Sequence, residues 1–232
     1  IGLRRAFALK ILSPELVNEQ TWKRFQAEAK TLGALHHSTL VNVYDLGIHE
    51  QSLPYYSMDL LEGRTLEQIL IDDGPLYVDE AIEIFLRVLE GLAYAHRNDI
   101  IHRDLKPDNV LLQHKSDRPD WVKIVDFGIS NFVHGSKKLT KTGRMVGTPE
   151  YIAPEQLKDR PIDMRTDLYG IGIMMFEMLT GRVPFDGESA ESILMKHLLE
   201  DPPTMAEVRP ELGENNLFQP IVDKLLKKNP DE

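Results

Sequence analysis

Two short polar segments in the middle of the chain carry the side chains best suited to chemistry. They are His102-Arg103-Asp104-Leu105-Lys106-Pro107-Asp108-Asn109 and Asp126-Phe127-Gly128. Phosphoryl transfer needs a carboxylate that orients the attacking hydroxyl, oxygen ligands that hold Mg²⁺ against a triphosphate, and cations that balance developing charge. The candidates for these tasks are Asp104, Lys106, Asn109 and Asp126. Their residue types therefore point to phosphoryl transfer.

The spacing of these side chains lets them meet. Asn109 stands five residues after Asp104, and Asp126 stands 22 residues after it, beyond a polar loop at 113–120 and a short strand at 122–125. A β-hairpin over this stretch would place the residues after its second strand beside those before its first strand. We therefore expect the three oxygen-bearing side chains to share one cleft.

Two further charged residues, Lys10 and Glu28, have both a catalytic and a plain interpretation. Along the predicted strand at 6–12, period-two geometry puts Ala8 and Lys10 on one face. A lone lysine in such a strand is also typical of an edge protected against aggregation. Glu28 lies beside the apolar stripe of a helical region, where, taken by itself, an ordinary surface glutamate is the favoured interpretation. Neither residue decides the function by itself.

The secondary structure that must position these residues is predicted from the spacing of apolar residues and from residues that start or end a helix. Strands are predicted at 6–12, 40–48 and 54–60. A long core helix is predicted with Asp79 as its N-cap, and Thr166–Leu179, apolar almost all round, predicts a buried helix that Gly181 ends. Because strands concentrate early and helices late, the sequence predicts an α+β fold with two lobes joined near residue 60.

Composition excludes several other classes of protein. The chain carries 37 acidic and 27 basic residues, a net charge of −10 that disfavours a nucleic-acid partner. It has no cysteine, which excludes disulfide scaffolds and thiol chemistry and fits a reducing compartment. The longest strongly apolar stretch, Leu168–Leu179, contains Glu177 and is shorter than the roughly 20 residues of a membrane span. No membrane segment is therefore expected within this chain.

The motifs occur in an order that is more specific than any one of them. They are Ala8-Leu9-Lys10, Phe25-Gln26-Ala27-Glu28-Ala29, the two polar segments, Gly147-Thr148-Pro149-Glu150-Tyr151-Ile152-Ala153-Pro154-Glu155, and Asp167 in the predicted buried helix. In this order they resemble the eukaryotic-type (Hanks-type) protein kinases, and the chain is similar to the bacterial serine/threonine kinases of that group. The resemblance covers essentially the whole chain. It implies a two-lobed kinase-like fold, with an incomplete β-rich small lobe at 1–60 and a larger helical lobe at 61–232.

The resemblance also implies a role for each polar residue. Asp104 would orient the substrate hydroxyl and accept its proton, and Lys106 would stabilise the transferring phosphoryl group. Asn109 and Asp126 would hold Mg²⁺, with Mn²⁺ as an alternative metal. Three further residues complete the set by resemblance: Lys10 on the ATP phosphates, Glu28 as the partner of Lys10, and Thr148 as a bridge between the base and Lys106.

The nucleotide site implied by the resemblance lies between the lobes. The adenine ring of ATP would lie between Ala8 and Leu111. Its edge would bond to the backbone of Asp59 and Leu61, with Met58 as the gatekeeper, although core packing also explains a methionine there. The implied activity is an ATP-dependent protein serine/threonine kinase.

Regulation and partners are expected from the same resemblance. Arg103 beside the base indicates control by activation-loop phosphorylation, and Thr140 and Thr142 fall where bacterial relatives commonly autophosphorylate. The expected partners are protein substrates with serine or threonine acceptors and a second copy of the kinase for trans-autophosphorylation. The expected location is cytoplasmic, with any membrane anchor in a part of the parent protein outside this chain.

One departure from the family pattern keeps two alternatives open. The glycine-rich loop that the family places before Lys10 is not in the sequence, and Gly170-Ile171-Gly172 does not replace it because it lies in the predicted buried helix. A chain without that loop could act as a non-catalytic, pseudokinase-like scaffold. The third hypothesis is a small-molecule kinase of the aminoglycoside or choline type, against which Lys106 and the Gly147–Glu155 segment both argue.

Overall fold

Three antiparallel strands form the first sheet of the chain. The computed structural model describes residues 6–11, 22, 26, 30, 32–49, 53–113, 121–127, 148–158, 161–214 and 216–232. The strands are β1 (Phe7–Ile11), β2 (Val43–His49) and β3 (Leu53–Asp59), in the order β1-β3-β2. The side chains of β1 alternate between two faces, as the period-two pattern predicted: Phe7, Leu9 and Ile11 are exposed, whereas Ala8 and Lys10 are partly buried.

A second small sheet holds the functional segments. It consists of β4 (Arg64–Thr65), β5 (Val110–Leu112) and β6 (Val122–Ile124), all antiparallel. The β5–β6 pair is the predicted hairpin, because Val110 lies opposite Ile124 and Leu112 opposite Val122. The backbone N–H of Val125 donates to the carbonyl of Asn109 at 2.9 Å, which extends the pairing beyond both strands. This brings the residues before β5 next to those after β6.

Seven α-helices follow the first sheet in the described part of the chain. They are α1 (Leu66–Asp73), α2 (Val78–Arg97), α3 (Pro154–Leu157), α4 (Arg165–Thr180), α5 (Ala190–Leu199), α6 (Met205–Val208) and α7 (Gln219–Leu225). The predicted α+β class, with strands early and helices late, is confirmed. No helix of the described ranges combines the length and the apolar character needed to cross a membrane.

The prediction of Asp79 as the N-cap of the long helix is wrong. Helix α2 begins at Val78, and the N-cap is Tyr77, whose backbone is extended and whose side chain makes no capping hydrogen bond. Asp79 lies in the first turn together with Glu80. Carboxylates in the first turn interact favourably with the positive end of the helix dipole, so the same residue stabilises the helix start without capping it.

Helix α4 is the buried centre of the helical lobe, as its apolar sequence predicted. Thirteen of its 16 residues are buried, and Gly181 ends it in the left-handed conformation, with φ of 78°. At Gly170, an added Cβ would lie 3.1 Å from the carbonyl oxygen of Leu105. The absence of a side chain at this position therefore lets the helix approach the polar segment around Asp104 closely.

Candidate active site

Asp104 and Asn109 lie together in the first polar segment, which we call the catalytic loop (His102–Asn109). The Nδ2 of Asn109 donates to the backbone carbonyl of Asp104 at 2.7 Å and lies 3.5 Å from its Oδ2. A short 3-10 turn, Pro107–Asn109, precedes β5 and buries the Asn109 side chain. Because Nδ2 is used in these bonds, the amide oxygen Oδ1 is the atom of Asn109 that remains as a ligand.

Lys106 lies among three oxygen-bearing side chains. Its Nζ donates to the hydroxyl of Thr148 at 2.7 Å and lies 4.0 Å from Asp104 Oδ2 and 3.8 Å from Asp108 Oδ2. Thr148 comes from a part of the chain far beyond the catalytic loop. The ammonium group therefore joins the loop to the segment that leads into α3.

Asp126 completes the group of oxygen ligands after β6. Its Oδ1 is 2.5 Å from the Nζ of Lys10 and 3.3 Å from the hydroxyl of Tyr56, both on the first sheet. The backbone of Asp126 is left-handed, with φ of 59°, which few residues other than glycine adopt without cost. Lys10 and Asp126, 116 positions apart, are thus brought into direct contact between the two sheets.

His102 has its ring fixed by two backbone groups. Its Nε2 lies 2.9 Å from the carbonyl of Val125, and its Nδ1 lies 3.3 Å from the N–H of Asp104. Because a carbonyl only accepts and an amide N–H only donates, Nε2 carries the proton. The ring also packs on Phe127 at a centroid distance of 4.7 Å. His102 thus connects the catalytic loop to the strand end that carries Asp126.

Asp167 on α4 restrains the backbone at the start of the catalytic loop through hydrogen bonds. Its two oxygens accept the backbone N–H of His102 at 2.8 Å and that of Arg103 at 2.7 Å, and His96 on α2 donates to it at 2.7 Å. Arg103 has a φ of 67°. The Asp167 side chain is fully buried, so this carboxylate replaces solvent as the acceptor for backbone donors in a turn of unusual conformation.

The residues predicted to bind the adenine lie at the junction of the first sheet and the helical lobe. Ala8 pairs with Met58 across β1 and β3, and both are partly exposed, as are Leu61 and Leu111. The structure thus leaves these side chains accessible on the edge between the lobes.

The carboxylate of Asp59 ties this junction to β2. It accepts hydrogen bonds from the backbone and the side chain of Asn42, at 3.1 and 2.8 Å, and from the hydroxyl of Tyr44 at 2.5 Å. Burial alone would raise the pKa of Asp59, but the hydrogen bonds from Tyr44 and Asn42 outweigh it and lower the pKa below its ordinary value. Asp59 is therefore held as a carboxylate that fixes the chain just before the junction.

A partly buried carboxyl group, whose pKa is raised and not lowered, lies on the helical side of the cleft. Glu177 accepts a hydrogen bond from the hydroxyl of Tyr151 at 2.5 Å. Burial raises the pKa of Glu177 to about 7; the Tyr151 hydrogen bond lowers it, while the nearby carboxylates of Glu67, Glu150 and Asp108 raise it further. The neighbourhood of the catalytic loop is therefore acidic on this side.

Three of the predicted site residues lie outside the described ranges. They are Glu28, Thr140 and Thr142. The pairing of Glu28 with Lys10 and the phosphorylation of the two threonines stay predictions. The other predicted residues are described. Lys10 contacts Asp126, and Lys106 joins Asp104 to Thr148, with Asn109 also bonded to Asp104. The backbone bond from Val125 to Asn109 brings these two groups next to each other.

Sequence reasoning missed three residues that support the site. Tyr56 contacts Asp126, His96 contacts Asp167, and Lys123, although buried, donates to the carbonyls of Ser38 and Leu40 at 2.6 and 3.5 Å. The only signal for Lys123 was a charge inside an apolar strand. Tyr56 and His96 read as ordinary members of a strand and a helix, since their partners are 70 and 71 positions away.

Two lobes around a cleft lined by a lysine, two aspartates and an asparagine define a phosphotransferase fold of the kinase type. The family model described as protein kinase domain matches residues 2–232, and the chain belongs to that family. It is 36% identical to the serine/threonine-protein kinase pkn3 of Myxococcus xanthus, over 99% of this chain and 43% of that protein. It is 37% identical to PrkC of Bacillus subtilis, over 99% of this chain and 34% of that protein.

A solved structure shows the same fold. The crystal structure of Rad53 1-466 in complex with AMP-PNP superposes with a TM-score of 0.78 and 26% identity, covering 97% of this chain and 54% of that one. The serine/threonine-protein kinase PknB of Mycobacterium leprae is 37% identical over 100% of this chain and 37% of that protein. The chain thus spans less than half the length of these curated relatives. Protein kinases as a family use ATP and Mg²⁺.

Proposed function

We propose that this chain is the catalytic domain of a protein serine/threonine kinase that transfers the γ-phosphoryl group of ATP to serine and threonine hydroxyls. The observation that carries the proposal is the set of contacts around Asp104. Asn109 Nδ2 donates to its backbone carbonyl at 2.7 Å and lies 3.5 Å from its Oδ2, and Lys106 Nζ lies 4.0 Å from the same Oδ2. The curated relatives over this length are named serine/threonine-protein kinases, which supports the same reaction.

The donor set fits a divalent metal with its nucleotide. Asp126 offers a carboxylate and Asn109 an amide oxygen, and Mg²⁺ and Mn²⁺ both take hard oxygen ligands. When bound, the metal would supply charge neutralisation along the phosphates. In this proposal Lys10, 2.5 Å from Asp126, interacts with the phosphates beside that carboxylate.

Asp104 orients the acceptor hydroxyl and takes its proton in this proposal. Its carboxylate is kept near the catalytic-loop backbone by Asn109, and Lys106 lies 4.0 Å away, where a cation can offset charge that develops on the transferred group. Thr148 bonds to the same ammonium and limits where it can move. Catalysis is then mostly alignment and electrostatic stabilisation.

The finer features of this function are proposals of the same kind. We propose that the adenine lies between Ala8 and Leu111, that Thr140 and Thr142 are autophosphorylated by a second copy of the kinase, and that the other substrates are proteins. Arg103 follows directly on His102 in the loop and is the cation nearest in sequence to Asp104, which supports a response to loop phosphate. The cytoplasmic location stays a prediction.

The experiment that tests the function is phosphate transfer from labelled Mg-ATP to the chain itself, to a generic basic protein and to small alcohols. We expect incorporation into protein on serine and threonine, and a loss of about 10²- to 10⁴-fold in Asp104→Asn. Asp72→Asn is the matched control, because the side chain of Asp72 on α1 is more than half exposed and pairs with Arg64.

The outcomes separate the three hypotheses. Transfer to protein supports the kinase, and phosphosite mapping by mass spectrometry tests Thr140 and Thr142. Transfer to small alcohols only would support the small-molecule kinase. Nucleotide binding without any transfer, equal in wild type and Asp104→Asn, would support the non-catalytic scaffold.

A further inference from the structure

Tyr56 lies directly opposite Lys10 in the first sheet. Strands β1 and β3 are antiparallel, and their register pairs Lys10 with Tyr56, as it pairs Leu9 with Ser57. Side chains of directly opposed residues lie on the same face of a sheet, with Cβ atoms about 5 Å apart. Tyr56 and Lys10 therefore extend side by side toward the cleft, while Tyr55 belongs to the other face.

Both side chains end on the same atom of Asp126. The Nζ of Lys10 lies 2.5 Å from Oδ1, and the hydroxyl of Tyr56 donates to Oδ1 at 3.3 Å. Among the described residues, no donor lies within hydrogen-bond distance of Oδ2. Two donors on one oxygen restrict the rotation of the carboxylate, and in the proposed function Oδ2 is then the oxygen offered to the metal.

Packing alone does not account for a tyrosine at this position. The Tyr56 ring is only 2% exposed and belongs to the hydrophobic core, a role that phenylalanine would fill without a polar atom. Burying a hydroxyl is costly unless it is hydrogen-bonded, and here the acceptor is a carboxylate oxygen. The hydroxyl therefore has a specific partner in Asp126.

We propose that Tyr56 is a positioning residue that orients Asp126 for the divalent metal and so sets the metal affinity of the kinase. The proposal rests on the proposed function, since it takes Asp126 as a metal ligand. The left-handed backbone of Asp126 adds to the need for such a restraint, because a strained residue returns to other conformations when its contacts are removed. Partners that orient a metal ligand commonly change metal affinity about 10- to 100-fold.

The test compares Tyr56→Phe with Tyr55→Phe and wild type. Binding of a fluorescent ADP analogue to the unphosphorylated chain is measured over a series of Mg²⁺ concentrations, so that no turnover is needed. For Tyr56→Phe we expect the Mg²⁺ concentration at half-maximal binding to rise about tenfold. Metal-free binding of the analogue to Tyr56→Phe should stay within about twofold of wild type. For Tyr55→Phe, both the metal-free binding and the Mg²⁺ concentration at half-maximal binding should stay within the same range.

A double-mutant cycle with Asp126→Asn guards against a purely structural effect. If Tyr56 acts through Asp126, Tyr56→Phe should change the Mg²⁺ dependence in the wild-type background and leave it unchanged in Asp126→Asn. Equal Mg²⁺ dependence of Tyr56→Phe and wild type, or equal shifts in Tyr56→Phe and Tyr55→Phe, would overturn the proposal while the kinase function stands. A wild-type chain whose nucleotide binding ignores Mg²⁺ would overturn both.

Discussion

Lys106 donates a 2.7 Å hydrogen bond to Thr148, although 42 positions separate the two residues. Lys106 belongs to the catalytic loop, and Thr148 opens the short turn Pro149–Tyr151 that leads into α3. The bond joins the part of the chain that would carry the proton acceptor to the part that, by resemblance, contacts the protein substrate. The ammonium group of Lys106 thus fixes the distance between these two parts of the chain.

Loss of the Thr148 hydroxyl should lower the turnover of the kinase. We expect Thr148→Val to reduce kcat about 10- to 100-fold with KM for ATP within about twofold, because Lys106 loses an alignment contact and the nucleotide loses none. Steady-state kinetics on a protein acceptor measures both constants. Thr148→Ser keeps the hydroxyl and should retain most of the activity; equal losses in the two variants would contradict the role of the bond.

Neutralising Asp167 should destabilise the fold as well as the catalytic loop. In Asp167→Asn one oxygen becomes an NH₂ group, which cannot accept the backbone N–H of His102 or Arg103. We expect the free energy of unfolding to fall by about 2–4 kcal/mol, since a buried backbone donor is left without an acceptor. Urea unfolding followed by circular dichroism measures the change.

The matched control for Asp167 is Asp163→Asn, just before the same helix. Asp163 pairs with Arg165, but both side chains are well exposed, so its loss should cost less than about 1 kcal/mol. A cost for Asp163→Asn as large as that for Asp167→Asn would show that the negative charge near the start of α4, and not the bonds to the catalytic loop, matters for stability.

Glu177 should make the protein less stable as pH rises from about 4.5 to about 7. Its pKa in the folded chain is about 7, above the ordinary 4.5, because burial penalises the charged form. In this range the folded state holds a proton that the unfolded state has lost, so the free energy of unfolding falls with rising pH, by about 3 kcal/mol in total. Glu177→Gln should therefore be more stable than wild type at pH 8 and similar to it at pH 4.5.

Urea unfolding at the two pH values tests this expectation for Glu177. Glu90→Gln is the control, because Glu90 lies on an exposed part of α2, where it pairs with Arg87. The wild type and Glu90→Gln should show the same pH trend. A Glu177→Gln variant that gains nothing at pH 8 would mean that the folded chain keeps this carboxylate charged at little cost.

His197 should have the opposite effect over an overlapping range of pH. The ring is fully buried on α5, 2.9 Å from the hydroxyl of Tyr169, and burial, followed by the charge of Lys228, lowers the pKa of His197 to about 4. Between about pH 4 and 6.5 the unfolded state binds a proton that the folded state excludes. Stability is therefore lost as pH falls through this range, by about 3 kcal/mol in total.

The contribution of His197 is measured best as the slope of the free energy of unfolding against pH. In wild type the losses from His197 and the gains from Glu177 cancel in part on acidification. In His197→Gln we expect the free energy of unfolding to rise, relative to its own value at pH 7, as pH falls toward 4.5. A slope equal to that of wild type would show that the ring is charged in the folded state without penalty.

Much of the fold could be predicted from local patterns. Period two along Phe7–Ile11 predicted which residues share a face of β1, although not which face is exposed, and the apolar run before Gly181 predicted the buried helix α4 within one residue at each end. The N-cap of α2 was predicted wrongly, because an aspartate satisfies the helix dipole in the first turn as well as at the cap. Boundaries of this kind depend on which backbone conformation the preceding loop allows.

The sequence by itself determined the contents of the site, because residues such as Asp104 and Asn109 are five positions apart and one loop brings them together. The ordered motifs further along the chain identified the family. Local spacing carries this information, since short loops have few conformations.

Only the tertiary structure decided which distant groups restrain those residues. Tyr56 meets Asp126 across 70 positions, and Asp167 meets His102 across 65. Such contacts depend on the register of β1 against β3 and on the close approach of α4 at Gly170. Neither leaves a local pattern in the chain, because register and helix packing result from the burial of the whole core and not from the residues at the contact.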